Sequence, residues 1–142
     1  MLETENLVGN VRSHSPGALA FLGDAVFELL ARERLFASGS MKVGKMHMLA
    51  VKSVNAGSQA QAYHALLAVC SDEEAGILKR GRNSNTAKVP KSTSPEQYRK
   101  ATGIEALFGY LYLQGKNQRI RELFEIVCAE AEQKKQAKCR GT

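Results

Sequence analysis

Tryptophan is absent from this 142-residue chain, aromatic residues make up only 6% of it, and it holds three prolines and three cysteines. So few rings argue against a surface of aromatic platforms on which single-stranded bases could stack. Cys70, Cys128 and Cys139 are too few and too scattered for a disulfide framework or a Cys-x-x-Cys metal site, and read as reduced thiols. No apolar run reaches the about 20 residues that cross a bilayer, so no membrane partner is expected. The start, Met1-Leu2-Glu3-Thr4-Glu5, lacks the basic and apolar segments of an export signal, which predicts a cytoplasmic protein. Alternating strand patterns, Asn-Gly hairpins and internal repeats are missing too. What remains is helical spacing. The expected fold is all-α, one domain over residues 1–142 with its core at about 16–133 and a frayed basic tail at 134–142.

Positive charge, by contrast, is in excess. Twenty Lys and Arg against 14 Asp and Glu give a formal charge of +6, which favours a polyanionic partner. With rings scarce, the backbone of a nucleic acid is a better target than its bases.

The chain is organised around Ala18 to Leu30. Ser15 and Pro16 supply a cap and a first-turn proline, and the helix they open, Pro16 to about Leu35, is apolar on nearly every side. That pattern predicts a helix running through the middle of the fold rather than along its surface. Ala37-Ser38-Gly39-Ser40 reads as a break, and a second helix is expected from about Val43 to Val69, weakened or bent at Gly57. Ser71-Asp72-Glu73-Glu74 has capping-box form and opens a short helix ending in Leu78-Lys79-Arg80-Gly81-Arg82. Asn83 to Thr93 reads as an exposed loop. Ser94-Pro95-Glu96-Gln97 then starts a helix to about Gln114 that is again apolar on most sides. A single apolar stripe from Ile120 to Ala131 marks an amphipathic outer helix, Asn117 to about Gln133.

Each of the two apolar helices carries one mid-helix carboxylate, Asp24 and Glu105. A lone ionised group in such a helix is costly unless it is compensated. A structural pairing with Lys or Arg is one answer. The other is that the two acids share a site, where a divalent cation removes their repulsion. Glu28, one turn beyond Asp24, is a supporting candidate, though an i,i+4 pair with Arg32 explains it equally well. His47 and His64 lack partners at metal-ligand spacing. Between residues 79 and 100, Lys79, Arg80, Arg82, Lys88, Lys91, Arg99 and Lys100 face a single acid, Glu96. The run is either a solvated face or a phosphate-binding segment.

Phe21-Leu22-Gly23-Asp24-Ala25-Val26 resembles the signature helix of the ribonuclease III catalytic domain, and Ile104-Glu105-Ala106-Leu107-Phe108-Gly109 resembles that family's second acidic helix. Leu78-Lys79-Arg80-Gly81-Arg82-Asn83 and Tyr98-Arg99-Lys100-Ala101-Thr102-Gly103 extend the match, which runs from about Pro16 to Gln114. With the short length, these motifs resemble the Mini-ribonuclease III branch, which lacks a separate double-stranded RNA-binding domain. Gly17, Ala20 and Thr102 stand where the full-length family has further acids, so only Asp24 and Glu105 carry over as catalytic residues and metal ligands. Thr102 joins Glu28 as a candidate for a supporting role. The resemblance implies a dimeric helical bundle and an endoribonuclease that hydrolyses double-stranded RNA to 5′-phosphate and 3′-hydroxyl ends. It implies Mg²⁺ as cofactor, with Mn²⁺ as a substitute, and RNA contacts from the seven basic residues above. A homodimer built partly on the signature helix, maturation of the ends of 23S ribosomal RNA precursor and a ribosomal protein as helper are implied in the same way. A non-catalytic RNA-binding protein of the same fold and a helical DNA-binding regulator are the rival readings. Tight duplex binding without cleavage marks the first, and preference for B-form DNA the second.

Overall fold

The computed structural model describes residues 10–54, 56–84, 89, 91 and 93–140. A 3-10 turn at Val11–Ser13 leads into α1 (Pro16–Ala37), α2 (Val43–Val54), α3 (Ala56–Ala60), α4 (Tyr63–Val69), α5 (Asp72–Asn83), α6 (Pro95–Leu113) and α7 (Asn117–Arg140). Among the described residues there is no strand, and the all-α expectation stands.

The helix starts follow from local chemistry. Ser15 accepts the Ala18 N–H at 3.2 Å with Pro16 in the first turn, and Ser94 accepts the Gln97 N–H at 3.2 Å ahead of Pro95. At Ser71 the capping box closes in both directions: its hydroxyl accepts from the Glu74 N–H, and its own N–H donates to Glu74 Oε1 at 2.9 Å. The α6–α7 corner turns on Gly115, whose φ of 71° lets the Lys116 N–H reach back to the Leu111 carbonyl at 3.0 Å.

The central element is α6. From Ala101 to Leu111 every residue is buried except Glu105, which is half-buried. It packs most extensively on α1, then on α5 and α3. Phe27 of α1 meets Phe108 of α6 and Phe124 of α7 edge-to-face, with centroids 5.5 and 5.2 Å apart, and ties three helices into one core.

Three expectations need correction. First, α1 does not run through the middle: one face is core, but Phe21 is 86% and Phe36 75% exposed, and Leu29 is exposed between them. Apolar composition on all sides cannot distinguish a helix enclosed by its own chain from one that leaves a face open. Second, the span from Val43 to Val69 is three helices, not one. Gly57 lies inside α3, while Gln61 and Ala62 turn and the Ala62 N–H bonds the Gln59 carbonyl three residues back at 3.1 Å. Gln59, Ala60, Ala62, Tyr63 and Leu66 are buried on both sides of this turn. Third, α7 does not fray at Gln133 but continues through the basic tail to Arg140.

The last helix is clamped by a charged pair. Arg119 Nε and Nη2 donate to the two oxygens of Glu74 at 2.9 and 3.0 Å, and Nη2 also reaches the Val69 carbonyl at 2.8 Å. The guanidinium holds the Glu74 carboxyl below the usual carboxylate range. Stability from this pair is therefore present above the ordinary carboxylate pKa and lost as pH falls through the lowered one. Arg119→Met is expected to cost about 2 to 3 kcal/mol in urea unfolding at pH 7, because it strands a buried carboxylate. The deficit should shrink in acid; one that is the same at pH 3 and pH 7 refutes the pairing.

Candidate active site

The site arises where α1 crosses α6. A methyl group on Gly23 would overlap the Glu105 carbonyl oxygen and lie 2.5 Å from its carbon and 2.9 Å from the Gly109 nitrogen. One on Gly109 would in turn overlap the Leu19 carbonyl. Backbone thus packs on backbone, closer than any helix pair bearing side chains at the contact. Asp24 follows Gly23 directly, and Glu105 is the residue whose carbonyl Gly23 touches. The crossing brings the two acids into one electrostatic environment.

Burial pushes the Glu105 carboxyl up to about 8, the Asp24 charge pushes in the same direction, and a hydrogen bond from Gln59 opposes both. Asp24 is more exposed, and its carboxyl is raised by partial burial and then by Glu28. Asp24 therefore stands electrostatically between Glu28 and Glu105. Glu28 also pairs with Arg32 one turn on, which is the second of its two sequence readings. Thr102 is buried, and its hydroxyl donates to the Tyr98 carbonyl at 2.9 Å, so its hydrogen is committed to its own helix.

A second glycine contact sets the basic segment beside this site. Gly81 of α5 and Gly103 of α6 meet so closely that a methyl on Gly81 would lie 2.8 Å from the Gly103 Cα, and one on Gly103 2.6 Å from the Leu78 carbonyl oxygen. Lys79, Arg80 and Arg82 flank that contact and are exposed. The Arg82 guanidinium stacks over the Tyr63 ring, 5.6 Å from its centroid. Arg99 and Lys91 are exposed as well, whereas Lys100 is largely covered and paired with Glu96 at 3.1 Å. Lys88 lies outside the described residues.

Gln59 is the site residue that sequence reading missed. It sits on α3, wholly buried, with its side chain bonded to Glu105. Ala56-Gly57-Ser58-Gln59-Ala60 carries no motif, and only the packing of α3 on α6 reveals it.

The Ribonuclease III domain matches residues 17–116. The Mini-ribonuclease 3 of Symbiobacterium thermophilum is 41% identical over 110 residues, covering 78% of this chain and 85% of that protein. The Mini-ribonuclease 3 of Brevibacillus brevis is 38% identical over 124 residues, covering 87% of this chain and 92% of that protein. A crystal structure of a protein from Fusobacterium nucleatum superposes with a TM-score of 0.75 at 34% identity, over 82% of this chain and 94% of the other. The matched span contains α1 and α6, their glycine crossing and both acids, and the chain belongs to the ribonuclease III family of endoribonucleases.

Proposed function

We propose that this chain cuts double-stranded RNA in a reaction that depends on a divalent cation, Mg²⁺ ordinarily and Mn²⁺ as a substitute, leaving 5′-phosphate and 3′-hydroxyl ends. The observation that carries this reading is the glycine crossing of α1 and α6, which sets exposed Asp24 and half-buried Glu105 near enough for the Asp24 charge to act on Glu105. Two carboxylates held together suit a hard cation, which offsets the cost of ionising both. Among the described residues no group of three His, Cys, Asp or Glu side chains could hold a metal. Asp24 and Glu105 would leave the remaining positions to water and phosphate oxygens. A divalent cation held by Asp24 and Glu105 would supply Lewis-acid chemistry for a water nucleophile and for the departing 3′ oxygen.

The chain's own contribution is binding and orientation. Lys79, Arg80, Arg82, Lys91 and Arg99 are the proposed phosphate contacts, together with Lys88; Lys100, held by Glu96, contributes least. A-form RNA is read through its phosphates and shape rather than through its deep groove. The exposed apolar residues Phe21, Leu29 and Phe36 of α1, with Val43, Met48 and Val51 of α2, support a twofold dimer built on these helices. The proposed natural substrate is the end region of 23S ribosomal RNA precursor, with a ribosomal protein as candidate helper.

The test is cleavage of end-labelled RNA and DNA duplexes in Mg²⁺, Mn²⁺ or EDTA. Cutting of the RNA duplex alone, and only with cation, is expected; tight RNA binding without cleavage makes this a binding protein instead. Replacing Lys79, Arg80 and Arg82 together with alanine should lower the slope of log affinity against log salt by about 2 to 3. An unchanged slope removes them from the phosphate contacts.

A further inference from the structure

We propose that Gln59 is the positioning residue of this site: its buried side-chain amide fixes the Glu105 carboxylate in the orientation that receives a divalent cation. The inference rests on the Asp24–Glu105 reading above. Gln59 is fully buried on the five-residue α3, a helix too short to be stable alone and held by its packing on α6. Its side chain hydrogen-bonds Glu105, the one residue of the central α6 stretch that is not itself buried. A buried polar side chain of this length is retained at a cost unless its bond does something specific.

The residue type matters. Ionised, as it must be to hold a cation, Glu105 accepts but does not donate, so that hydrogen bond comes from the Gln59 NH₂ group. A lysine there would neutralise Glu105 and compete with a cation for it. A glutamate would add a third anion beside Asp24 and Glu105. The neutral amide occupies part of the Glu105 oxygen's hydrogen-bonding capacity while leaving the charge of the pair intact. It restrains the carboxylate as partners behind metal ligands do, and loss of such partners typically lowers metal affinity or activity about 10- to 100-fold.

The test uses Gln59→Met, which keeps length and removes the donor, and Gln59→Asn, which keeps the amide but is one methylene too short. Mn²⁺ affinity is measured by calorimetry without RNA, the Mg²⁺ concentration for half-maximal cleavage by titration, and duplex affinity by gel shift in EDTA. Both variants are expected to bind Mn²⁺ about tenfold or more weakly, and to require correspondingly more Mg²⁺. RNA affinity in EDTA should stay within twofold of the unmodified protein. Circular dichroism identifies folded variants, and if Gln59→Met fails to fold, Gln59→Asn carries the test. A folded variant with unmodified Mn²⁺ affinity overturns the inference. Glu105→Gln is run alongside: if it too leaves Mn²⁺ binding intact, the metal-site reading itself fails, whereas loss in Glu105→Gln alone removes only the role of Gln59.

Discussion

Asp24→Asn is expected to lower cleavage of an RNA duplex by about a thousandfold or more at saturating Mg²⁺, with duplex binding in EDTA unchanged. The substitution keeps shape and removes one of two charges that would hold the cation. Glu105→Gln should have an equally large effect on cleavage and an opposite one on stability. The Glu105 carboxyl is raised to about 8 by burial and by Asp24, well above its value in an unfolded chain. Between the ordinary carboxylate range and about pH 8 the folded state therefore holds a proton that the unfolded state has released. Stability of the metal-free protein falls as pH rises through that window and levels off above it. Glu105→Gln has no such proton to lose, so its melting temperature should exceed that of the unmodified protein at pH 8.5 and converge with it in acid. Thermal melts in EDTA across pH 5 to 9, paired with cleavage assays, check both halves. Retained cleavage with a pH-independent difference in melting would make Glu105 an ordinary core acid.

Gly23→Ala has the second large effect. In a helix interior this exchange usually stabilises by about 1 kcal/mol. Gly76 shows the ordinary case: nothing lies within 4 Å of a methyl added there, and Gly76→Ala should gain about 0.5 to 1 kcal/mol. At Gly23 the added carbon would overlap the Glu105 carbonyl oxygen, a backbone atom within the most buried helix. No side chain can yield, so α1 and α6 must separate. The expected loss is about 3 kcal/mol or more, at the upper end of overpacking effects, with cleavage abolished in whatever remains folded. Urea unfolding of the two alanine variants side by side gives the comparison. Equal effects at positions 23 and 76 would mean that the helices do not meet at Gly23.

Helix starts depend on groups within one turn of the chain, which is why Ser15, Ser71 and Ser94 announced α1, α5 and α6 with their caps. The two isolated carboxylates were conspicuous for the same reason, each set against an apolar background that needs no knowledge of the fold. Asp24, Glu105 and the exposed basic ridge at Lys79, Arg80 and Arg82 were all legible as residues. Their relation was not. Whether α1 is enclosed or leaves Phe21 and Phe36 exposed depends on what surrounds it, and hydrophobic pattern records only that a face is apolar. No proline marks the division of Val43–Val69 into three helices, and the packing of α3 on α6 that goes with it is a tertiary contact. Gln59 became visible only when α3 lay against Glu105. Composition, caps and periodicity thus determined an all-helical, basic chain with two acids that needed compensation. Tertiary structure decided that glycine contacts bring those acids together, because the distance between residues 81 positions apart in the chain is a property of packing and not of local preference.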